Sequence, residues 1–556
     1  MLKELMQNQP VTQNVSMQNF NQVFNAELIS LINEKCGVNF LQRREMLTLL
    51  EMSQIVDTMH EIYIKILSSQ IATPETKIII ANSIMARLFD LWQNSYSPEL
   101  FFAKIQQKFT PAQIVAGFSV YFSTWEKYKT VMKFFTDNKQ IFPRSNKKIR
   151  TIGLYYFRIY NGGTERFLSM IIPIYIQLGY RVVLFTDEFK PELEYKIVSP
   201  TPPRSQMAFV RENFKTPRNQ TLARLTEWAE LLKKYDVDLM IIQSVVLQSY
   251  ISHLFFRLSG IKVITQLHAS LKNVGEFRFP NLMSYPIADA VVVISKTRME
   301  FLKNYGVKSF YIPNSMMIEN ADKFQGRDLK KFSNTVIWIG RIDPQWKNPF
   351  AVVPIMKEVA AKIPNAKLKI VGGTDIPAAV EKLVALIKEN HLENNIEICG
   401  YHTDVAPFYK AADVMLNTSP NEGWSLVIAE GKFYELPLVL YELPDNELIS
   451  DGKGCITVPF DDSHAAAEAI IKILTDANLR YKLSIQARES LQPFINYDIG
   501  GAWQKVFESL ENDEPAPPVN EELIQAQNIL LEENFNLRRQ VEQLTNYINQ
   551  ISSQSK

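Results

Sequence analysis

Hydrophobic residues recur at helical spacing through the first part of the chain. Three helix starts are marked by a hydroxyl residue directly followed by proline, at Thr73, Ser97 and Thr110. Such a hydroxyl can accept a hydrogen bond from a free N–H, and proline fits the first helical position. Gln113 completes a capping box with Thr110. No repeat of fixed period is visible, so we predict an all-helical domain over residues 1–140, which we interpret as binding a partner or acceptor.

From residue 149 onward, short apolar runs alternate with helical segments. The run at 152–156 leads through a glycine turn into a helix and then into a second apolar run at 179–186. A strand, loop, helix and strand in this order form a β-α-β unit with parallel strands. We therefore predict an α/β architecture of two Rossmann-like domains, over residues 149–315 and 316–511, preceded by the all-α domain.

A heptad pattern closes the chain. A linker at 512–519, rich in proline and acidic residues, leads into leucines and one isoleucine spaced by seven. These positions are Leu523, Leu530, Leu537, Leu544 and Ile551. The second seam is partly polar and includes Asn534, so we predict a coiled coil over 520–552 that forms a homo-oligomer, with a dimer favoured and a trimer open. The alternative is a single amphipathic helix packed on the body.

Two surface segments interrupt this pattern: one joins the helical domain to the first Rossmann-like domain, and the other lies within that domain. The basic connector at 142–150 is interpreted as a solvated linker, with contact to an anionic membrane surface as the alternative. The proline-rich stretch at 190–222 is interpreted as a surface loop or insertion. Neither segment carries recognisable chemistry.

Composition and charge narrow the class of protein. The chain has 556 residues, 46% of them hydrophobic and 21% charged, which is ordinary for a globular protein of several domains. Its 60 basic and 59 acidic residues exclude a nucleic-acid binder that depends on bulk charge. The three cysteines form no disulfide framework and no metal-ligand spacing. We find no signal core and no apolar run of the roughly 20 residues that cross a bilayer, and we expect a cytoplasmic protein, with peripheral contact at the inner face of the membrane left open.

The strongest chemical signal is the stretch at 419–430. A short apolar run at 413–417 precedes it, and apolar residues at helical spacing follow it. A strand, tight loop and helix in this order aim free N–H groups and the positive end of the helix dipole at one anion site. The loop and first helical residues are Gly423, Trp424, Ser425 and Leu426. Two carboxylates, Glu422 and Glu430, suit sugar hydroxyls; the alternative is an ordinary helix start with Glu430 in solvent.

Two further candidates are weaker. His268 ends an apolar strand at 263–268, at the edge where open α/β sheets bind ligands, although a lone histidine is often structural. Asp236 and Asp238 have the form of a metal-binding D-x-D motif, but they precede a buried strand, where such acids usually end a loop. We favour a structural role for the aspartates, and the pattern alone leaves both interpretations of His268 open.

Several motifs in order resemble the retaining family four of glycosyltransferases. The spacing of Glu422 and Glu430 matches the family's E-x(7)-E motif. The segments 336–343 and 346–348 are similar to its strand with G-R and K, and 368–373 resembles its next strand and glycine turn. The resemblance covers residues 149–511 and implies the GT-B fold, in which two Rossmann-like domains face each other.

The resemblance also implies roles for individual residues. Glu430 would hold the ribose hydroxyls and Glu422 the donor sugar, while Arg341 and Lys347 would bind the diphosphate. His268 would lie beside the anomeric carbon. Gly162 and Gly163, in a turn similar to the family's GG-x-E-R loop, and Gly340, in the G-R step, are further donor-site positions. The segments 400–405 and 409–413 resemble the part that contacts the nucleotide base, and 497–511 the helix that returns to the first domain.

The implied activity is transfer of a sugar, with retention of configuration, from a nucleotide sugar to a glycan, lipid-linked or protein acceptor. A UDP-sugar is the first candidate for the donor, no metal is required, and bacterial surface polysaccharide or glycoconjugate synthesis is the expected context. This chain has Ser425 and Glu435 where the family usually has glycine. The alternative is therefore a catalytically degenerate GT-B scaffold that serves oligomerisation in a glycan-assembly complex.

Overall fold

Two parallel β-sheets organise the computed structural model of the protein. The structure describes residues 2–7, 17–36, 48–70, 72–92, 97–118, 125–143, 147–159, 162–189, 209–218, 220–243, 249–268, 285–314, 324, 326–327, 332–374, 376–443 and 445–522. Within these ranges, no helix is both long and apolar enough to cross a membrane.

The first sheet has seven parallel strands in the order β5-β3-β1-β6-β7-β8-β9. Its strands are β1 Thr151–Tyr155, β3 Arg181–Thr186, β5 Phe209–Asn213, β6 Leu239–Gln243, β7 Lys262–Leu267, β8 Ala290–Val293 and β9 Ser309–Tyr311, and a separate small pair is β2 Arg158–Ile159 with β4 Glu188–Phe189. The inner strands β6 and β8 are buried along their whole length because helices cover both faces. These helices are α8 Gly163–Gln177, α9 Thr221–Tyr235, α10 Ser249–Leu258 and α11 Lys296–Asn304.

The prediction of a loop throughout 190–222 is wrong for part of that stretch. Residues 209–213 form the edge strand β5, which pairs in parallel with β3. Its side chains are only partly buried, and it carries Arg211 and Glu212. An edge strand of this kind lacks the apolar run by which the inner strands can be recognised.

The second sheet has six parallel strands in the order β12-β11-β10-β13-β14-β15. Its strands are β10 Thr335–Ile339, β11 Lys367–Val371, β12 Ile396–Gly400, β13 Val414–Asn417, β14 Leu438–Tyr441 and β15 Cys455–Val458. Its helices are α12 Val352–Lys362, α13 Pro377–Glu389, α14 Ala406–Ala411, α15 Leu426–Phe433, α16 Ser463–Thr475 and α17 Ala477–Ile495.

Both sheets are doubly wound, which confirms the predicted pair of Rossmann-like domains. The strand order reverses between β1 and β6 in the first sheet and between β10 and β13 in the second. At such a switch point the loops that leave the carboxyl ends of the two strands diverge and open a crevice. Each domain therefore has a ligand crevice at the carboxyl edge of its sheet.

The N-terminal region is helical, as predicted. Its helices are α1 Leu2–Met6, α2 Met17–Cys36, α3 Leu49–Ser68, α4 Pro74–Trp92, α5 Pro98–Lys108, α6 Pro111–Phe118 and α7 Trp125–Asp137. Three of them begin at the predicted prolines. Thr110 and Gln113 form the expected capping box, with backbone bonds of 2.8 and 3.3 Å, whereas the Ser97 hydroxyl does not cap its helix and donates to Glu99 instead.

These helices share one hydrophobic core with the first sheet. Helix α6 packs against α9 and α10, and one continuous cluster runs from Phe102 and Phe135 to Trp228 and Phe255. Alternate residues of the sheet face the other way, toward α8, in a separate cluster. The helical region is thus an additional layer outside α9 and α10, and it excludes water from their outer surfaces.

The last described helix, α18 Ile499–Glu511, packs on the first domain, which confirms the predicted return helix. The Trp503 ring meets Tyr175 edge-on at 5.3 Å, and Glu511 accepts a 2.7 Å hydrogen bond from the Ile149 N–H. Beyond it, Val519 forms an antiparallel bridge with Tyr305. The predicted coiled coil lies outside the described residues from position 523 onward.

Candidate functional site

Thr418 joins the two loops at the switch point of the second sheet. Its hydroxyl lies 2.9 Å from the carbonyl oxygens of both Lys347 and Asn348, to which it can donate, and it accepts a 2.9 Å bond from the Trp338 indole N–H. The loop after β10 is therefore fixed beside the loop after β13. Because of this arrangement, Arg341 and Lys347 lie on the same edge of the sheet as residues 419–425.

Glycines bring the neighbouring loop equally close. Gly340 directly follows β10, and its N–H donates to the Val371 carbonyl at 3.1 Å. Gly372 has a φ of 153°, and a Cβ there would lie 1.8 Å from the Gly340 oxygen. Only glycine fits that position, so the predicted glycine turn after β11 brings the loops of β10 and β11 into contact.

The two candidate cations are neutralised by carboxylates. Lys347 forms an ion pair with Glu422, which joins the β10 loop to the β13 loop. The Arg341 guanidinium lies 3.0 Å from Asp343, and its side chain remains 43% exposed. Positive charge is therefore held at the rim of the crevice, where a bound anion can compete for it.

The predicted strand, loop and helix around Gly423 form as expected. Helix α15 begins at Leu426, and the Ser425 hydroxyl caps it by accepting from the Ile428 N–H at 3.4 Å. Trp424 is buried and meets the Phe494 ring at 5.7 Å, so its side chain anchors the loop to α17. The helix start is therefore fixed with its N-terminal amides at the carboxyl edge of the sheet.

Glu430 is buried, with 5% of its surface exposed, and the alternative of a solvated side chain is wrong. The Tyr409 hydroxyl donates to its Oε2 at 2.8 Å. Burial and the adjacent carboxylate hold the pKa of Tyr409 well above its usual value, so this hydroxyl stays a donor. Arg166 of the first domain lies 2.5 Å from Oε1. Glu430 thus joins the two domains directly.

The glycine turn of the first domain provides Arg166. Gly162 is the N-cap of α8, and Gly163 is its first residue. Arg166 follows in the first turn of the helix, on the same edge of the first sheet. The positive charge of this turn therefore faces the second domain.

His268 lies just beyond β7 and contacts both domains. A neutral polar partner holds it, because its Nε2 is 2.7 Å from Gln243 Oε1 at the end of β6. Burial, reinforced by the nearby Arg298, lowers the pKa of His268 to about 3. On the facing loop, a Cβ at Gly423 would lie 2.1 Å from the His268 carbonyl oxygen. Gly423 is therefore required for the close approach of the two domains.

A buried ion pair stabilises the same interface. Arg298 on α11 is fully buried and donates to Asp445 at 2.9 Å. Two residues earlier, at the start of α11, the Lys296 N–H donates to Glu447 at 2.7 Å. Both acids follow β14, so the interface includes contacts from the next strand of the second sheet.

The two departures from the family pattern have structural explanations. Ser425 replaces a glycine but supplies the helix cap described above. Glu435 adopts a φ of 57°, in the left-handed region that favours glycine, and its carboxylate accepts a 3.0 Å bond from the Arg327 N–H. The side chain thus makes a contact that a glycine at this position could not make.

Other predicted positions have structural roles. Asp238 accepts hydrogen bonds from the Arg150 and Thr151 N–H groups at 2.9 and 3.0 Å, and the φ of Asp236 is 48° at the end of α9. The loop interpretation is confirmed. Over the described ranges, no group of three His, Cys, Asp or Glu residues could hold a metal ion. Asp413, in the segment compared with the base-binding part, instead accepts from the Thr335 N–H at the opposite end of β10.

Sequence reasoning gave no roles to Arg166, Gln243 and Thr418. Arg166 belongs to the glycine-turn motif, so its position in α8 could have been read as pointing to the site. Gln243 and Thr418 each follow or end an apolar strand. Their neutral side chains carry no spacing signal, and only the packing of neighbouring strands brings them to the site.

Comparisons with known proteins match both halves of the site. The model of the family described as Glycosyltransferase Family 4 matches residues 161–317, and that described as Glycosyl transferases group 1 matches residues 333–476. Together they span more than half of the chain. The first match contains the glycine turn and His268, and the second contains Arg341, Lys347 and both glutamates.

Individual relatives come from bacterial polysaccharide and glycan synthesis. The amylovoran biosynthesis glycosyltransferase AmsD of Erwinia amylovora is 25% identical over 302 residues, covering 52% of this chain and 81% of that protein. The N-acetylgalactosamine-N,N'-diacetylbacillosaminyl-diphospho-undecaprenol 4-alpha-N-acetylgalactosaminyltransferase of Campylobacter jejuni is 22% identical over 371 residues, covering 62% of this chain and 96% of that protein.

A solved structure shows the same fold. Anabaena HepE, crystallised in complex with UDP, aligns with a TM-score of 0.51 and 17% identity over 66% of this chain and all of that one. The two doubly wound sheets, their facing carboxyl edges and the two adjacent family matches lead to one assignment. The chain belongs to the family four, group 1 glycosyltransferases of GT-B fold.

Proposed function

We propose that this glycosyltransferase moves a sugar from a nucleotide sugar, with a UDP-sugar as first candidate, to a glycan, lipid-linked or protein acceptor with retention of configuration. The observation that carries the proposal is a convergence of charges in the interdomain crevice. Arg341, Lys347, Glu422 and Glu430 come from the second domain, and Arg166 faces them from the first.

Arg341 and Lys347 are assigned to the diphosphate. A guanidinium can contact two phosphate oxygens at once, and an ammonium adds a compact charge beside it. Lys347 is already oriented by Glu422, so an arriving diphosphate meets a fixed cation. As the glycosidic bond breaks, these charges stabilise the negative charge that develops on the leaving phosphate. Because the two side chains supply this charge, the proposal includes no metal cofactor.

Glu430 is assigned to the ribose and Glu422 to the donor sugar. A carboxylate accepts hydrogen bonds from two neighbouring hydroxyls, and the Tyr409 hydroxyl keeps Glu430 oriented while it does so. Ribose binding then replaces the bond between Glu430 and Arg166. Donor entry would therefore release the Arg166 guanidinium close to the phosphates, and its positive charge would then attract their negative charge.

His268 is assigned to the anomeric region as a neutral hydrogen-bonding group. With a pKa of about 3, its ring carries no charge at neutral pH and does not act as a general acid. Retention then proceeds by attack on the face that the diphosphate leaves, with the leaving phosphate taking the acceptor proton. Such a step depends on positioning and charge stabilisation, which the N-terminal amides of α8 and α15 also support.

The relatives' names support the acceptor class. One relative is named for amylovoran biosynthesis, and another for a substrate linked to diphospho-undecaprenol. We therefore place this protein in bacterial surface polysaccharide or glycoconjugate synthesis, in the cytoplasm with access to the inner face of the membrane. Self-association through residues 520–552 remains part of the proposal.

The competing scaffold function is less well supported. It rests on the departures at Ser425 and Glu435. Ser425 preserves the start of α15, and Glu435 leaves the turn after that helix intact. The charged residues needed for donor binding are all present at the crevice.

The test is thermal denaturation of the purified protein with UDP-, GDP-, CMP- and ADP-sugars. One nucleotide class should raise the melting temperature, and a donor at 100 times its dissociation constant adds about 2.7 kcal/mol. Arg341→Ala and Glu430→Ala should each abolish the shift. Lys369→Ala, a change at mid-strand in β11, should preserve it and serves as the control. For the productive donor, NMR of the product gives its anomeric configuration.

No stabilisation by any nucleotide sugar in well-folded protein would reject the transferase proposal in favour of the scaffold. An inverted product would reject only the stereochemical part.

A further inference from the structure

Buried polar atoms without a hydrogen-bond partner collect where the two domains meet. Such atoms are rare in folded proteins because each costs the desolvation of a polar group, so a cluster of them indicates a place that a ligand completes. Counting only partners within the described ranges, the neutral side chains with such an atom at the carboxyl edge of the first sheet and on the facing loop are Gln243 Nε2, Gln266 Oε1, Ser295 Oγ, Asn314 Oδ1, Asn421 Oδ1 and Trp424 Nε1.

Gln243 has the most informative position in this cluster. It ends β6, on one side of the switch point, and only 1% of its surface is exposed. Its Oε1 contacts His268, while its Nε2 has no partner in the described part of the chain. The same amide therefore touches the proposed donor-site histidine and retains two unused donor hydrogens.

The contact fixes the state of the histidine. A neutral imidazole carries its proton on one nitrogen only, and the hydrogen bond at that nitrogen selects which one. Because Gln243 Oε1 is an acceptor, Nε2 of His268 must carry the proton. Nδ1 is then left as the acceptor of the ring.

We propose that Gln243 is a positioning and specificity residue for the donor sugar. It holds His268 as the Nε2–H tautomer, and its own amide N–H groups donate to a sugar hydroxyl. The inference rests on the proposed function. The chemistry favours the sugar over the phosphates, because these atoms belong to neutral amide, hydroxyl and indole groups that mix donors with acceptors, as recognition of hydroxyl groups requires, and the nearby Arg298 is paired with Asp445.

The chain offers a matched control on the adjacent strand. Gln266 in β7 is directly opposite Gln243 in the parallel register and is equally buried. No hydrogen bond between Gln266 and His268 occurs among the described residues. Gln243→Met and Gln266→Met therefore remove the same amide from the same sheet, and only the first removes the contact with His268.

Calorimetry of the full chain with UDP, UDP-glucose, UDP-N-acetylglucosamine and UDP-N-acetylgalactosamine separates the two halves of the donor. In the wild type, the preferred UDP-sugar should bind more tightly than UDP. Gln243→Met should lower the affinity for that UDP-sugar by about 10- to 100-fold, as expected for a lost buried hydrogen bond. The affinity for UDP should be unchanged. Gln266→Met should change both affinities less than about threefold.

A second readout needs no substrate. NMR of protein labelled at its six histidine rings should show one resonance set of a neutral Nε2–H tautomer, identified by its loss in His268→Gln. Gln243→Met should convert it to a mixture of tautomers, and Gln266→Met should not. A merely structural glutamine would leave this signature unchanged.

The two measurements together distinguish failure of the role proposed for Gln243 from failure of the proposed transferase function. If no UDP-sugar binds but the tautomer changes in Gln243→Met, the proposed donor class fails and the positioning role stands. If UDP-sugars bind and both methionine variants behave alike, the role of Gln243 is overturned while the transferase survives. An unchanged His268 spectrum in Gln243→Met also overturns it.

Discussion

The two Rossmann-like domains share one topology and differ in how they build their half of the site. Both sheets are parallel, doubly wound and open at the carboxyl edge. The second contributes charged side chains from loops, such as Lys347 and Glu422. The first contributes a neutral histidine and amide from strand ends, with Arg166 as a charged group in contact with the other domain.

Under the proposed function, this difference follows from two tasks. Diphosphate binding requires charged side chains. In loops at the rim of the crevice these side chains stay hydrated when no ligand is present, so their charge is not buried unpaired. Sugar recognition requires neutral donors and acceptors held in a dry, fixed geometry. Buried strand ends provide such a geometry because the sheet restricts them. The division suggests that nucleotide and sugar selectivity can be altered separately.

The domains also differ in what covers them, and the largest expected effect tests this. Removing residues 1–140 should prevent stable folding, because the apolar side chains of α9 and α10 that pack against α6 would be exposed. Exposing each such side chain lowers the free energy of unfolding by about 1.5–3 kcal/mol, and the total for a folded protein is only about 5–15 kcal/mol. Soluble yield and thermal denaturation measure the effect. Truncation after residue 522 is the control and should leave the melting temperature unchanged; a truncated protein with native stability would show that the helices are an independent module.

A smaller effect is expected at the interface that joins the two domains. Asp445→Ala leaves the guanidinium of the fully buried Arg298 without its 2.9 Å carboxylate partner. Removing one member of a buried pair costs about 3–5 kcal/mol. Chemical denaturation provides the measurement. Glu300→Ala on the same helix, which ends an exposed pair with Lys303, should cost less than about 0.5 kcal/mol; equal losses would contradict the interface role.

Closure of the crevice is tested at Gly423, where the loop of the second domain faces His268 of the first. Gly423→Ala places a Cβ 2.1 Å from the His268 oxygen and 2.9 Å from Ile294, so the domains must separate. Overpacking of this kind costs about 1–3 kcal/mol, or roughly 5- to 150-fold in donor affinity. Gly500→Ala on α18 is the matched control, since its Cβ would meet nothing closer than 3.7 Å, an ordinary van der Waals contact. Titration with the nucleotide sugar compares them, and similar affinities would indicate that closure is unimportant for binding.

The smallest effect concerns Glu435, one of the two positions at which the second domain departs from the family pattern. Glu435→Ala keeps the left-handed φ and loses the bond to the Arg327 N–H, so we expect about 1 kcal/mol of destabilisation. Glu435→Gly loses the same bond but relieves the backbone strain, which is worth about 1 kcal/mol, and should be near neutral. Denaturation of both variants gives the order. Alanine as stable as glycine would mean that the φ of 57° carries no strain.

The sequence identified the charged residues at the crevice of the second domain more directly than the residues of the first domain that face them. Arg341, Lys347 and Glu422 belong to spaced motifs in loops and Glu430 to the helix that follows, and the structure brings all four to one edge. The edge strand β5 was missed because it is only half buried. Gln243 was missed because a single amide at the end of an apolar strand is indistinguishable from a turn residue.

By itself, the sequence determined the alternation of strands and helices, the helix starts at proline, and the residues able to carry charge in the loops. These properties depend on local periodicity and on chemistry within a few residues. Tertiary structure alone decided that Arg166 meets Glu430, that Gln243 holds His268, and that the N-terminal helices share a core with the first sheet. Each of these contacts joins residues far apart in the chain, so its energy depends on packing that no local pattern records.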